Sequence, residues 1–220
     1  MMLLEAHNLA AAYDGRTIFS GLALRLGPGV YALQGRNGSG KSTLLRLLAG
    51  AHRPAAGSIT VAGHDLRREP LAARRALAYV PDETPAYPFM SGADFLRLVR
   101  EAKGVGAEPV VEGLLDAFGL APFLGQRFDA ISLGTQKKLL LAAGWIGDPQ
   151  LILLDEPSNA LDAAARDALI ARIREDRGRR VTLFASHDAE FVAATGATVI
   201  GLDSLIRDGA EDRPAAHGLH

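Results

Sequence analysis

The chain reads Gly35-Arg36-Asn37-Gly38-Ser39-Gly40-Lys41-Ser42-Thr43 at residues 35–43, which matches the phosphate-binding pattern G-x-x-x-x-G-K-S. We expect Gly35, Gly38 and Gly40 to adopt positive φ and to let backbone N–H groups approach phosphate oxygens, because they lack a Cβ. Lys41 would bring a positive charge to the β- and γ-phosphates, and the Ser42 hydroxyl would ligate Mg²⁺. The stretch therefore predicts a site for a nucleoside triphosphate.

The sequence on either side of this loop supports that interpretation. Residues 30–34 read as a short buried strand, and residues 43–49 read as a helix whose N-terminus would face the phosphates. The alternative is a glycine-rich turn that matches the pattern by chance. The strand before the loop and the helix after it favour the phosphate-binding loop.

Composition restricts the classes of protein to consider. The chain has 220 residues, 24 basic and 25 acidic residues, a net charge of −1 and no cysteine. This length predicts one α/β domain with a subdomain, and the balanced charge argues against nucleic-acid binding. Without cysteine there is no disulfide or zinc-thiolate site, which fits a reducing cytosol.

The N-terminus lacks the pattern of a signal peptide, and the longest apolar run is about half the roughly 20 residues of a membrane helix. We expect a water-soluble chain whose membrane role would come through a partner.

Residues 3–34 alternate strand-like runs with turn signals. Strand-like runs at 9–13 and 17–19 flank Asp14-Gly15, a hairpin signal, and further strands are predicted at 58–61 and 78–80. Tyr13 could stack on an adenine or be a half-buried strand residue. The arginines between residues 67 and 75 predict a solvated helix face rather than a nucleic-acid surface. Two prolines predict a surface loop at 82–91.

The middle of the chain is helical in pattern. Apolar residues recur at helical spacing from 92 to 145, and no strand signal interrupts them, which predicts an all-helical insertion at about residues 85–145. Ser132 is the expected N-cap of its last helix.

Two buried strands follow, each ending in polar residues. Residues 151–154 lead into Asp155-Glu156, and residues 181–185 lead into Ser186-His187-Asp188. Open α/β sheets bind ligands at the carboxyl ends of their strands, so one carboxylate could serve the metal and the other the attacking water. His187 could reach a γ-phosphate, or it could be a capping or core histidine. A helix is expected after residue 158, capped by Ser158 or Asn159.

In this order and spacing, the motifs resemble those of the nucleotide-binding subunit of ABC (ATP-binding cassette) transporters, from about residue 3 to residue 205. Gly35–Thr43 resembles the Walker A motif, Ser132–Gln136 the signature motif and Leu151–Asp155 the Walker B motif, with Glu156 at the place of the catalytic base. Ser158–Asp162 resembles the D-loop, His187 the switch histidine and Tyr13 the A-loop aromatic.

The resemblance implies a fold and a site. The fold would be α/β, a P-loop NTPase core with a largely parallel sheet, an N-terminal antiparallel β subdomain and an inserted helical subdomain. Residues 1–205 would form a single ATP-binding domain, followed by a flexible tail at 206–220. Glu156 and His187 would act on the water and the γ-phosphate, and Ser42, Asp82 and Asp155 would serve Mg²⁺. The implied ATP contacts are Tyr13, Gly35, Asn37, Gly38, Ser39, Gly40, Lys41, Ser42, Thr43, Ser132 and Gly134.

The resemblance also implies partners. Two cassettes would close head to tail on two ATP molecules, each site taking Ser132 and Gly134 from the other cassette; a homodimer is favoured over a heterodimer. A polytopic membrane permease would hold the pair at the inner face of the cell membrane, on the cytoplasmic side, and no nucleic acid is expected. The stretch 79–83 with Tyr87-Pro88 resembles bacterial efflux cassettes, which favours export.

Three residues depart from the family pattern. Asp82 stands where a glutamine is usual, which puts Mg²⁺ affinity and coupling to a partner in question. Leu133 replaces a glycine and Thr135 a glutamine in the signature motif.

Two other functions compete with transport: a soluble ABC-type ATPase acting on ribosomes or nucleic acid, and a P-loop kinase. The balanced charge, the single cassette and the signature motif argue against them.

Overall fold

The computed structural model describes residues 1–13, 16–83 and 88–206. The strands are β1 (Leu4–Tyr13), β2 (Arg16–Leu26), β3 (Gly29–Gln34), β4 (Ala56–Val61), β5 (His64–Asp65), β6 (Leu77–Val80), β7 (Leu151–Asp155), β8 (Val181–Ala185) and β9 (Thr198–Gly201). The helices are α1 (Lys41–Leu48), α2 (Pro70–Arg75), α3 (Gly92–Lys103), α4 (Pro109–Ala117), α5 (Leu133–Ala143), α6 (Ala163–Glu175) and α7 (Ala189–Thr195).

A parallel sheet of five strands forms the core, in the order β6-β7-β8-β3-β9. Every residue of β7 and β8 is buried, as the continuous apolar runs predict for strands covered on both faces. In the register, Asp155 lies beside Ala185, and Ala185 lies beside Leu33. The carboxyl ends of β3, β7 and β8 therefore lie side by side, and the residues that follow them meet at one edge.

A second sheet is antiparallel, in the order β2-β1-β4-β5. It packs with α1 and the parallel sheet around a core of leucines that includes Leu4, Leu9, Leu44 and Leu48. The predicted turn at Asp14-Gly15 lies outside the described residues. Both sheets together confirm the predicted fold class, an α/β core with an antiparallel β part.

From residue 92 to residue 143 the described chain contains three α-helices, α3, α4 and α5, and no strand, as predicted. Helices α3, α4 and α5 pack through apolar side chains, and the rings of Phe95 and Phe128 meet edge to face with centroids 5.4 Å apart. Residues 84–87, near the predicted start of the insertion, lie outside the described residues, and so do residues 207–220 of the predicted tail. The domain boundaries stay predictions.

Some local predictions need correction. Helix α1 begins at Lys41 rather than Thr43, because Gly40 already adopts the N-cap position. Helix α6 begins at Ala163 and is capped by Asp162, not by Ser158 or Asn159. Asp162 has the extended backbone that a cap needs, and its Oδ1 accepts from the backbone N–H of Ala165 at 2.9 Å. The sequence pattern did not predict β5, α7 or β9.

No helix in the described part of the chain combines the length and the apolar character that crossing a membrane needs.

Candidate functional site

The loop between β3 and α1 is shaped by its glycines. Gly38 and Gly40 have φ of 75° and 102°, as predicted. Gly35 does not have positive φ, so that expectation was wrong; a Cβ there would lie 2.8 Å from Ser39 Oγ. Gly35 thus leaves room for the Ser39 hydroxyl and does not serve a left-handed backbone conformation. Asn37 lies in the turn of the loop and is exposed.

The ends of this loop present groups suited to phosphate. Lys41 is 7% exposed, and its Nζ donates to the carbonyls of Gly35 at 2.9 Å and Arg36 at 3.2 Å, which folds the ammonium over the loop. Ser39 Oγ is buried and lacks a hydrogen-bond partner among the described residues. The N–H groups of the first turn of α1, which includes Ser42 and Thr43, have no partner within the helix. A phosphate would supply acceptors for these donors and a counter-charge for Lys41.

Ser42 and Asp155 meet although 113 residues separate them along the chain. Ser42 Oγ donates to Asp155 Oδ1 at 3.0 Å. Asp155 is 1% exposed, and this burial raises its pKa, while the Ser42 hydroxyl opposes the rise. Hydroxyl and carboxylate oxygens suit Mg²⁺, which keeps several waters and takes one or two protein ligands beside phosphates. No group of three His, Cys, Asp or Glu side chains able to hold a metal occurs in the part of the chain that the structure describes. The pair nevertheless fits Mg²⁺ bound chiefly by phosphates and water.

Glu156 and His187 form a second pair at the same edge. His187 Nε2 lies 3.0 Å from Glu156 Oε1, and the backbone N–H of His187 donates to Glu156 Oε2 at 3.1 Å. The side chain of Glu156 is 12% exposed and that of His187 is 57% exposed. Burial raises the pKa of Glu156, and the hydrogen bond from the His187 backbone opposes that rise. A shielded carboxylate with raised pKa can accept a proton from water, which a general base requires.

Asp82 follows β6 and lies near Lys137, which is not among the site residues predicted from the sequence. Asp82 Oδ1 accepts from Asn159 Nδ2 at 3.1 Å and lies 3.7 Å from Lys137 Nζ. The side chain of Lys137 is 3% exposed, and burial lowers its pKa, while Asp82 opposes that fall. A signal existed in the sequence: Lys137 shares a helix face with Leu140 and Leu141, so it points inward. Lysine is almost never buried without a partner.

Ser132 and Gly134 begin α5. Ser132 is the predicted N-cap, and its Oγ accepts from the backbone N–H of Thr135 at 3.2 Å. A Cβ on Gly134 would lie 2.6 Å from the carbonyl oxygen of Ala160. Among the hydrogen bonds and ion pairs of the described residues, none joins Ser132 or Gly134 to residues 35–43. Tyr13 ends β1, and its predicted adenine contact stays a prediction.

Comparison with known proteins gives one family. A family model described as ABC transporter matches residues 19–159. The chain is 32% identical over 185 residues to the lantibiotic transport ATP-binding protein SrtF of Streptococcus pyogenes, covering 84% of this chain and 79% of the relative. It is 34% identical over 203 residues to the aliphatic sulfonates import ATP-binding protein SsuB 2 of Burkholderia cenocepacia, covering 91% and 73%.

Other relatives are longer than this chain. It spans 9% of the ATP-binding cassette sub-family A member 7 of Rattus norvegicus, at 33% identity over 86% of this chain. It spans 60% of the Nod factor export ATP-binding protein I of Rhizobium etli, at 31% identity over 83% of this chain.

Solved structures share the fold. The ATP-binding subunit of an ABC transporter superposes with a TM-score of 0.82 at 27% identity, covering 90% of this chain and 85% of the other. A dimeric ATP-binding cassette in a post-hydrolysis state with ADP and Pi gives 0.77 at 19% identity, covering 90% and 93%. At that lower identity the likeness concerns the fold alone.

Proposed function

The chain belongs to the ABC transporter family as one of its ATP-hydrolysing domains, and from this premise we propose that it powers export through a separate membrane subunit. The observation that carries the proposal is the meeting of Ser42, Asp155, Glu156 and His187 at the ends of three parallel strands. These strands come from distant parts of the chain, and the phosphate-binding loop extends from one of them.

In the proposed reaction, the role of each group follows from its surroundings. The loop 35–43 would bind the phosphates through its N–H groups and Lys41. Glu156 would take a proton from the attacking water, and His187, held against Glu156, would orient that water and the γ-phosphate. Ser42, Asp155 and Asp82 would hold Mg²⁺, which when bound would neutralise charge on the phosphates. The adenine would stack on Tyr13.

The proposed assembly is a head-to-tail pair of cassettes. Ser132 and Gly134 are exposed or half-buried at the N-terminus of α5, where a helix dipole would favour a γ-phosphate carried by a second copy. A solved cassette of the same fold is dimeric, which supports a pair of cassettes. A homodimer is the simplest pair, because this chain carries both the loop and the signature residues.

The proposed direction of transport is export. It is supported by the resemblance at residues 79–83 and by a relative named for Nod factor export. A relative named for aliphatic sulfonates import makes import the second candidate. Either direction would place the chain at the inner face of the cell membrane, through a permease. Relatives named for transport and the net charge of −1 do not favour a role on ribosomes or nucleic acid.

The test is to capture the tagged Glu156→Gln chain from detergent-solubilised membranes with Mg-ATP, and to identify its partners by mass spectrometry. A polytopic membrane protein is expected, with no second type of cassette. Ribosomal proteins as the main partners would contradict a transport function. ATP added to inside-out vesicles that carry the parent chain and the membrane partner so identified should drive the cargo into the lumen, whereas release of the cargo would indicate import.

A further inference from the structure

Lys137 occupies an unusual position for a cation. Its side chain is 3% exposed, and Nζ donates to the carbonyl oxygens of Pro81 at 2.9 Å and Asp155 at 3.0 Å. Pro81 follows β6 and Asp155 ends β7, so the ammonium bridges the ends of two neighbouring strands. The lysine comes from α5, and it is therefore a cross-link between this helix and the edge of the sheet where the phosphates would bind.

The charge of Lys137 needs compensation. Carbonyl oxygens satisfy its hydrogen bonds but carry only partial charges, and a buried ammonium is costly unless a full negative charge lies near it. Among the ion pairs between described residues, the one that includes Lys137 is with Asp82, at 3.7 Å from Oδ1. The same Oδ1 accepts from Asn159 Nδ2 at 3.1 Å. One oxygen of Asp82 is thus held between a cation and an amide.

We propose that Lys137 is a positioning residue for the ATP site, neutralising and orienting the Asp82 carboxylate so that it adds an oxygen there without adding uncompensated charge. This proposal rests on the proposed function. Asp155 and Glu156 already place two carboxylates at this edge. A third carboxylate without its cation would repel the triphosphate, whereas a paired one offers an acceptor for a metal-bound water.

Because Lys137 lies on α5, its pairing with Asp82 also links that helix to Asp82. Ser132 caps the same helix five residues earlier, and Lys138 Nζ lies 2.9 Å from Oδ2 of Asp162, the cap of α6. Lys137 therefore fixes the proposed γ-phosphate contact of α5 relative to Asp82. Lys138 is a matched control, because it is the adjacent lysine of the same helix and pairs with a different carboxylate.

The experiment measures ATP affinity of the full chain by titration calorimetry, once with EDTA and once with Mg²⁺. Lys137→Met should weaken ATP binding without Mg²⁺ by about tenfold, the effect of one uncompensated charge near the ligand. The loss should be smaller with Mg²⁺, because the metal offsets the freed carboxylate. Asp82→Asn, introduced into Lys137→Met, should restore most of the affinity, since it removes the charge that Lys137 neutralises. Added to Lys138→Met, the same Asp82→Asn change should give no gain in ATP affinity.

Folding is checked by thermal melting, and Lys137→Gln is the second variant. The amide keeps a donor for the carbonyls but has no charge, so Lys137→Gln should show the same Mg²⁺-dependent loss and the same rescue. Equal losses with and without Mg²⁺, or no rescue by Asp82→Asn, would mean that Lys137 only supports the fold. Normal binding by Lys137→Gln would overturn the proposal in the same way. Failure of the parent chain to bind ATP would overturn the proposed function, and this inference with it.

Discussion

Glu156 has a backbone φ of 44°, a left-handed conformation that is uncommon for a residue with a side chain. Its N–H donates to the carbonyl of Ala185 at 2.9 Å, which ties the first residue after β7 to the end of β8. The turn points the carboxylate toward His187, whose backbone and ring both contact it. Strain of this kind is maintained where the surrounding structure fixes a functional group.

At this position, Glu156→Gln should lower ATP hydrolysis by about 10²-fold or more and leave ATP affinity unchanged. The amide keeps the shape of the side chain, but it cannot accept a proton from water, and general bases contribute roughly 10²–10⁴-fold. Phosphate release and titration calorimetry measure the two quantities. Glu190→Gln on α7 is the control, because Glu190 is 90% exposed. Hydrolysis by Glu156→Gln at the parent rate would remove the carboxylate from the mechanism.

Gly134 lies so close to the Ala160 carbonyl that a side chain there has no room. Gly134→Ala should lower the free energy of unfolding by about 1–3 kcal/mol, because its Cβ would lie 2.6 Å from that oxygen and one of the two segments must move. Gly113→Ala on the exposed face of α4 is the matched control: its Cβ meets nothing within 4 Å. That change should stabilise by about 0.5–1 kcal/mol, through helix propensity. Denaturant melts compare the variants, and equal stability of the two would contradict this account.

At the level of secondary-structure elements, the buried Asp176 joins three segments of the chain. The side chain of Asp176 is 0% exposed and accepts from Trp145 Nε1 at 2.7 Å and from Arg172 at 2.6 Å, while Arg180 Nε lies 3.3 Å away. Trp145 follows α5, Arg172 lies on α6 and Arg180 precedes β8. One carboxylate therefore fixes the spacing of two helices and the start of a central strand.

Asp176→Ala should destabilise the chain by about 3–5 kcal/mol, the usual cost of breaking a buried ion pair by removing one partner. The buried indole N–H would also lose its acceptor. Asp167→Ala, at an exposed position of α6, should change the free energy of unfolding by less than about 0.5 kcal/mol. Urea melts measure both variants. A similar small effect at the two positions would show that the buried network adds little stability.

At the scale of the whole molecule, Lys103 connects the helical insertion to the core. Its Nζ donates to the carbonyl oxygens of Arg74 at 2.9 Å, Arg75 at 3.1 Å and Leu77 at 2.6 Å, across the end of α2 and the start of β6. Burial lowers the pKa of Lys103 to about 8, and Glu108 opposes the fall.

This pKa predicts how stability changes in alkaline solution. Between pH 8 and pH 10.5, the ordinary pKa of lysine, the unfolded chain holds a proton on Lys103 that the folded chain has released. The unfolded state binds more protons there, so the contribution of Lys103 to stability rises with pH across this window. Melts of the parent chain and of Lys103→Met at pH 7.5 and pH 9.5 test this. The variant should gain less stability between the two values, and an equal gain would contradict the lowered pKa.

Long, strongly patterned segments could be predicted from the sequence. The apolar runs of β7 and β8, the helical spacing of residues 92–145 and the glycines before α1 each indicate one structure. Short elements could not be predicted, because β5 has two residues, and β9 has four that are exposed or half-buried. The cap of α6 was missed because Ser158 and Asn159, which are also capping residue types, precede Asp162. The burial of Lys137 depends on carbonyls from two strand ends, which only the assembled sheet brings together.

The site exists only in the folded chain, because the register of the parallel sheet brings its residues together. Ser42 and Asp155 meet only when β3, β8 and β7 are paired, because their segments are distant in the chain. An unfolded chain thus has nothing equivalent to offer a nucleotide. By mass action, ATP would draw the chain toward its folded form and protect it from proteolysis. The cell's nucleotide supply would then help to set how long this protein survives, as well as how fast it works.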